Sequence, residues 1–248
     1  MNSNNDQMIY GIRPMIESIK AGKVFDKVFI QHGLKGEHTG ELFKLMRDAS
    51  ITYQHVPLEK LNRLTRKNHQ GVVAFTSIID FNSMEEIVQN IYETGKIPFL
   101  LLLDRITDVR NFGAIARTAE CAGVHAIVIP SQGAAPVNPD AMKTSAGALN
   151  FITISKVKNL SRSIDYLKES GFQIIAASEK AARFYTEIDY TVPTAIIMGS
   201  EEDGVSPAYL KKTDHMVKIP IVGHTESLNV SVAAAVIIFE VVRQRKQI

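Results

Sequence analysis

Two rhythms of apolar and polar residues divide this chain. Up to residue 77 the segments are short and mixed: helical spacing over 13–20, 41–49 and 58–64, strand spacing over 24–30, 51–55 and 72–75. These six elements predict a small α/β sandwich. The amphipathic stretch 84–92, followed by Gly95 and Pro98, predicts a connecting helix and a boundary. From Ile97 onward the strands are near-continuous apolar runs, at 99–103, 126–129, 151–154, 173–177, 195–198 and 216–219. Fully apolar strands separated by helical segments imply a parallel sheet covered on both faces. The expected organisation is a first domain over 1–77, a linker over 78–96 and a second domain over 97–248.

The last apolar segment, 232–242, has hardly a charged residue and is apolar nearly all round. A helix of that kind must bury most of its faces, in a large core or against a second subunit. Ser227, Asn229 and Ser231 sit at its mouth, and polar groups beside a dry helix are costly without partners. Capping accounts for one of them; the first-turn amides or a ligand are left for the others.

Composition narrows the class. With 45% hydrophobic residues in 248 the chain can bury a substantial core, and no apolar run approaches the ~20 residues of a membrane span. The polar start, residues 1–6, lacks a basic region followed by an apolar one, so a cytoplasmic location is expected. One cysteine, Cys121, forbids an internal disulfide and any cysteine-rich zinc site; in its small-residue run it reads as helix packing. Seven histidines show no metal-ligand spacing, so no metal is expected. The net charge of +2 conceals an asymmetry: eleven Lys/Arg against seven Asp/Glu in residues 1–77 gives +4, leaving −2 for the rest. A phosphate-binding module joined to a neutral catalytic one would show this, and so would lysines scattered on a solvated face.

In a parallel sheet ligands bind outside the carboxyl ends of the strands, so the loops after Leu103, Met198 and Ile219 are the places to look. The first loop runs from Asp104 through Arg110 and Asn111 to a helix expected to begin near Gly113, with Asn111 as its natural cap. Arg117 follows in the first turn or two, where the helix dipole disfavours a cation and a nearby anion would justify it. The second loop, Gly199-Ser200-Glu201-Glu202-Asp203-Gly204, turns tightly, but three consecutive acids would repel a phosphate and no phosphate-loop motif is present. It suits ribose hydroxyls, an adenine edge or a cationic ligand, features that S-adenosylmethionine combines; an ordinary exposed turn is the plain alternative. The third loop runs from Ile219-Pro220 to Asn229.

Three segments carry a resemblance. Asn111-Phe-Gly-Ala-Ile-Ala-Arg117-Thr-Ala, Ile197-Met-Gly199-Ser-Glu201, and Ile219-Pro220 with Ser227-Leu-Asn229-Val-Ser-Val-Ala-Ala resemble the three ordered motifs of the SpoU (TrmH-like) RNA ribose 2′-O-methyltransferases. The likeness covers about residues 97–248. The first domain resembles the L30e-like substrate domain of the RlmB-like branch through Gly11-Ile-Arg13-Pro14 and His69-Gln70-Gly71. One departure stands out: the family usually has glycine where this chain has Glu202, and Gly204 follows on schedule, so an altered turn is expected.

The resemblance implies a SPOUT-type catalytic domain with a deep trefoil knot, bound S-adenosylmethionine, a homodimer, and methylation of a ribose 2′-hydroxyl in RNA. A guanosine of 23S rRNA is the leading target; a tRNA guanosine, or RNA binding without catalysis, is the alternative. It assigns catalysis to Arg117, Asn111, Asn229 and Ser227. It assigns the cofactor to Gly199, Ser200, Glu201, Gly204, Ile219, Pro220, Ser227, Leu228 and Asn229. RNA capture falls to Arg13, Arg66, Lys67, His69, Gln70, Arg110 and Arg117, with Arg63 beside them.

Overall fold

The computed structural model describes residues 8–246; the polar start, 1–6, lies outside them. The chain forms two compact units, one running to Asp80 and including Pro136–Pro139, the other taking Phe81–Ala135 and everything from Asp140.

The first unit contains β1 (Met8–Tyr10), α1 (Ile12–Lys20), β2 (Phe25–Gln31), α2 (Thr39–Asp48), β3 (Gln54–Val56), α3 (Leu58–Leu64) and β4 (Val72–Thr76). Its sheet has the order β1-β4-β2-β3, antiparallel except for the β2–β3 pair. Alternation along each strand serves two cores. Val28, Ile30, Val72 and Ala74 pack with Met15 of α1 and Leu42 and Met46 of α2, whereas Phe29 and Val73 pack with Leu61 of α3. This is the expected sandwich, with helices on both faces. Strand β1 is a three-residue segment that the apolar pattern does not reveal.

The second unit contains α4 (Met84–Glu93), β5 (Phe99–Leu103), α5 (Val109–Cys121), β6 (Ala126–Pro130), α6 (Pro139–Thr144), β7 (Thr153–Val157), α7 (Leu160–Glu169), β8 (Gln173–Ala177), β9 (Arg183–Phe184), β10 (Thr194–Met198), α8 (Pro207–Leu210), β11 (His215–Lys218) and α9 (Val230–Lys246). Its seven strands run in the order β7-β6-β5-β10-β8-β11-β9, every neighbouring pair parallel. One face of the sheet, through Leu100, Leu102, Val128, Ile174 and Ile197, packs on α4 and α7. Helices α5 and α9 lie against each other, burying Ile115, Ala116, Ala119, Ala234, Ile237 and Val241.

Several expectations change here. The stretch 78–96 is not a free connector, because Met84, Ile87, Val88 and Ile91 sink into the second unit's core and make α4 part of it. The strand expected at 151–154 begins at Thr153: Leu149 and Ile152 are buried around a short 3-10 turn, and Phe151 points outward, 78% exposed. Cys121 does not pack; it ends α5 on the exposed side. Helix α9 is longer than the apolar run, starting at Val230 and ending at Lys246. Within one chain it is buried along one side only, since Val232 and Phe239 are about half exposed.

Candidate functional site

Order along the sheet reverses between β5 and β10, the place where parallel α/β sheets leave a crevice at their carboxyl ends. A cavity of about 650 Å³ opens beside it, over the ends of β8, β10 and β11 and the first turns of α9. Its lining includes Gly199, Ser200, Glu201, Gly204, Ile219, Ser227, Leu228 and Asn229. Of the residues expected to hold a cofactor, Pro220 alone does not line it.

The loop after β10 is a tight turn. Ser200 and Gly204 exchange backbone hydrogen bonds of 3.1 and 3.0 Å, and Ser200 Oγ accepts from the Asp203 amide at 3.1 Å. Gly204 adopts φ +67°, where a side chain is strained. At Gly199 the demand is close approach: a Cβ would overlap the Gly204 carbonyl carbon and the Val205 nitrogen. Glu202 projects from the exposed tip of this turn, so the hairpin accommodates it where the family usually has glycine.

Asn229 joins the three loops. As N-cap of α9, its Oδ1 accepts from the Ser231 amide at 3.0 Å and the Ser231 hydroxyl at 2.6 Å. Its Nδ2 donates to Asn111 Oδ1 at 3.0 Å and to Glu201 Oε1 at 2.6 Å. Both amide hydrogens are thereby used, one on each of the other two loops. Ser231 belongs to the first turn of α9, while Ser227 remains exposed on the cavity wall.

Helix α5 begins four residues earlier than expected, at Val109, and its cap is Asp108, whose Oδ1 accepts from the Asn111 amide at 2.8 Å. Asp108 and Asn111 both have capping side chains; occupation of the cap by Asp108 frees the Asn111 carboxamide to meet Asn229. Gly113 lies within the helix, where a Cβ would overlap the Thr144 hydroxyl. Arg110 and Arg117 are exposed, and among the described residues Arg117 has no hydrogen-bonding or ionic partner.

Arg105 was not among the expected site residues. Its backbone holds φ +58°, and its guanidinium donates to Asp203 Oδ2 at 2.8 Å, the Gly204 carbonyl at 3.0 Å and Asp104 Oδ1 at 3.2 Å. Asp104 is buried and also accepts from the Ser206 amide at 2.7 Å. Bonding to Asp104, and then to Asp203, holds the Arg105 pKa above its ordinary value. The signal in the sequence was a charged pair immediately after an all-apolar strand.

Five acids, Glu179, Glu201, Glu202, Asp203 and Glu226, line the cavity against Lys180 and Lys218, while Met198, Ile219, Leu228 and Ile237 supply apolar wall. The excess of negative charge disfavours a phosphate-bearing nucleotide and fits a nucleoside with a cationic group. Among the described residues no cluster of His, Cys, Asp or Glu could hold a metal, and no helix is long and apolar enough to cross a membrane.

In the first unit, a second cavity of about 810 Å³ is lined by Arg13, Lys67, His69 and Gln70 among others; Arg63 and Arg66 are exposed but do not line it. His69 is buried, and Gln70 Oε1 accepts from the Ile12 amide at 3.1 Å. These two side chains are engaged within the unit itself.

Residues 98–239 match the SpoU rRNA Methylase family, and residues 8–80 match the RNA 2′-O ribose methyltransferase substrate-binding family. The chain belongs to the SpoU family of RNA methyltransferases. Relatives carrying the name of the TrmH family of tRNA/rRNA methyltransferases, from Staphylococcus haemolyticus and Staphylococcus epidermidis, are 32% and 34% identical over 243 residues, 98% of each chain. Among solved SpoU structures, the methyltransferase AviRb from Streptomyces viridochromogenes, in complex with the cofactor AdoMet, aligns with a TM-score of 0.62. It is 23% identical and is matched over 97% of this chain and 90% of that one. The A. aeolicus TrmH/SpoU tRNA modifying enzyme aligns with a TM-score of 0.56 at 30% identity, over 66% of this chain and 84% of that one.

Proposed function

We propose that this SpoU-family protein transfers a methyl group from S-adenosylmethionine to a ribose 2′-hydroxyl in RNA, a guanosine of 23S rRNA being the target, in the cytoplasm. The observation that carries the reading is the Asn229 carboxamide, which draws Asn111, Glu201 and the start of α9 together beside a cavity rich in acids and apolar wall.

Glu201, the backbone of Gly199, Ser200 and Gly204, and the segment Ile219-Pro220 would hold the adenosine of the cofactor, with Ser227, Leu228 and Asn229 closing the other side. When bound, S-adenosylmethionine supplies a methyl carbon activated by its sulfonium. Orientation of the attacking hydroxyl then carries much of the barrier reduction. Arg117, exposed and without a partner among the described residues, clamps an RNA phosphate and so orients the ribose. A guanidinium keeps its proton to about pH 12, which favours this role over proton abstraction. Asn111 positions the ribose, and Arg110 meets the RNA backbone.

Arg13, Arg66 and Lys67 of the first unit would capture RNA through phosphates, with His69 and Gln70 shaping the unit behind them. The names of the staphylococcal relatives cover both tRNA and rRNA, and tRNA is the second reading for the target. An L30e-like first unit, a trefoil knot around the cofactor loops and a homodimer complete the proposal. The half-exposed Val232 and Phe239 of α9 support the dimer, because they leave one side of that helix to be covered by a second copy.

The test is methyl transfer from labelled S-adenosylmethionine to unmodified total RNA, with the product mapped and Arg117→Ala alongside. Label as 2′-O-methylguanosine in 23S rRNA, absent from the variant, is the expected result. Label in tRNA replaces the target, and cofactor binding without transfer to any RNA overturns the catalytic reading.

A further inference from the structure

The 810 Å³ cavity of the first unit is built with more constraint than a surface hollow requires. It lies between the start of α1, the loop after β2, helix α3 and the loop before β4. Among the described residues, two of the five non-glycine residues with positive φ, His38 at +67° and Gln70 at +48°, line it. Residues held in sparsely populated backbone regions persist where the surroundings over-determine them, and they cluster at ligand sites. Gly71, at φ +77°, lies so close to the Leu34 and Gln31 side chains that a Cβ there would overlap Leu34 Cδ1.

The chemistry of the lining is specific. His69 Nδ1 accepts from the Gly71 amide at 3.0 Å, so in the neutral ring the proton is on Nε2, which donates to Asn62 Oδ1 at 2.9 Å. The Asn62 carboxamide is thereby fixed in one sense: its oxygen is engaged by His69 and its Nδ2 hydrogens remain as donors at the cavity. Arg13, Lys35 and Lys67 stand against Glu37, an excess of two positive charges, and Leu34 and Leu58 supply apolar surface. A volume of this size falls in the range of about 300–1,000 Å³ of small-ligand sites.

From this arrangement we infer that the cleft is a receptor for one unpaired nucleotide of the RNA. Its cations take the flanking phosphates, the leucines lie against the base, and Asn62 donates to an acceptor on the base edge. The inference rests on the RNA-methyltransferase reading and deepens it. Unstacked bases, with both faces and edges exposed, are what proteins read in RNA. Donors alone at Asn62 select bases with a carbonyl or ring nitrogen on the presented edge, so an oxo-bearing base is bound in preference to adenine presenting its amino group.

The test is binding of end-labelled single-stranded RNA hexamers, and of a duplex of the same sequence, to the whole protein across a salt series. Asn62→Ala, the double variant Lys35→Ala/Lys67→Ala and, as a control, Arg47→Ala on α2 outside the cleft are compared. Expected is at least tenfold preference for the single strand and a roughly tenfold loss for the lysine pair. That pair should also lower the slope of log K against log salt by about 1.4, at about 0.7 per phosphate contact. Asn62→Ala should lose affinity for guanine- or uracil-rich hexamers with the slope unchanged, and Arg47→Ala should bind as the parent does. Cofactor binding and methylation of total RNA by the parent protein are measured in parallel. If the parent methylates RNA yet the cleft variants bind and discriminate as it does, or Arg47→Ala loses as much as the lysine pair, the cleft inference is overturned alone. If the parent binds neither cofactor nor RNA, the functional reading falls with it. Thermal unfolding of each variant separates lost binding from lost structure.

Discussion

Asn229 Nδ2 reaches Asn111 Oδ1 across 3.0 Å of space and 118 residues of chain. The same nitrogen bonds Glu201, so one carboxamide sets the spacing between the ends of three loops. Two substitutions separate its duties. In Asn229→Asp the oxygen that caps α9 is kept, both donations are lost and a negative charge is set beside Glu201. Asn229→Ala removes the cap as well. Cofactor affinity measured by calorimetry should fall in both, whereas thermal unfolding should show a further loss of about 1 kcal/mol in Asn229→Ala.

Arg105 fastens the acidic turn from the opposite side through Asp203 and the Gly204 carbonyl. Arg105→Ala should raise KM for the cofactor by roughly fivefold and leave kcat for RNA little changed, since its bonds go to Asp104 and to the turn after β10. The Arg105–Asp203 pair is partly exposed, so the coupling energy in a double-mutant cycle with Asp203→Asn should not exceed about 1 kcal/mol.

At Gly199 the obstacle to a side chain is backbone, which cannot swing away. Gly199→Ala should cost about 3 kcal/mol, the upper end of overpacking penalties, and abolish cofactor binding as the hairpin opens. Denaturant unfolding checks the first outcome and calorimetry the second.

Arg117 presents the converse case. It is exposed and makes no bond among the described residues, so Arg117→Ala should leave the unfolding free energy within about 0.5 kcal/mol of the parent. Methyl transfer should nevertheless fall by roughly 10²–10³-fold, the scale for removing one positioned donor from a reacting centre.

Glu240, buried on α9, accepts from Arg243 Nε and Nη2 at 2.8 and 2.7 Å and from Gln244 at 2.8 Å. Bonding to Arg243 lowers its pKa below the ordinary 4.5, outweighing the burial that opposes it. A carboxylate depressed in the folded state contributes stability above its unfolded pKa and loses that contribution as pH falls through the folded one. Glu240→Gln should therefore be less stable than the parent at pH 7. The two unfolding curves should converge as pH drops below 4.5.

The parallel sheet was legible because β5, β6, β8 and β10 bury both faces and so read as unbroken apolar runs. Asn111, Glu201 and Asn229 could be assigned to one sheet edge because polar groups following such runs have few other places to go. The cap of α5 could not be read, since Asp108 and Asn111 are equally able to fill that position and only the fold decides between them. Arg105 was missed for a different reason: its partners Asp203 and Gly204 come 98 and 99 residues later, beyond the reach of any local pattern. Strand β9, two residues long and exposed, exists only through its pairing with β11.

Helix α9 holds the sheet at both ends. Near its start Asn229 gathers the loops at the carboxyl edge, and near its finish Arg245 donates to the carbonyls of Ile97, Pro98, Tyr190 and Val192, before β5 and β10. Without a carboxylate among those partners, burial pulls the Arg245 pKa down to about 10. Every strand of the sheet is made before this helix during synthesis. A nascent chain that has completed its sheet still lacks one wall of its cavity, and contacts spanning more than a hundred residues are slow to close. The cavity is therefore complete only once translation has passed the last strand and released this helix.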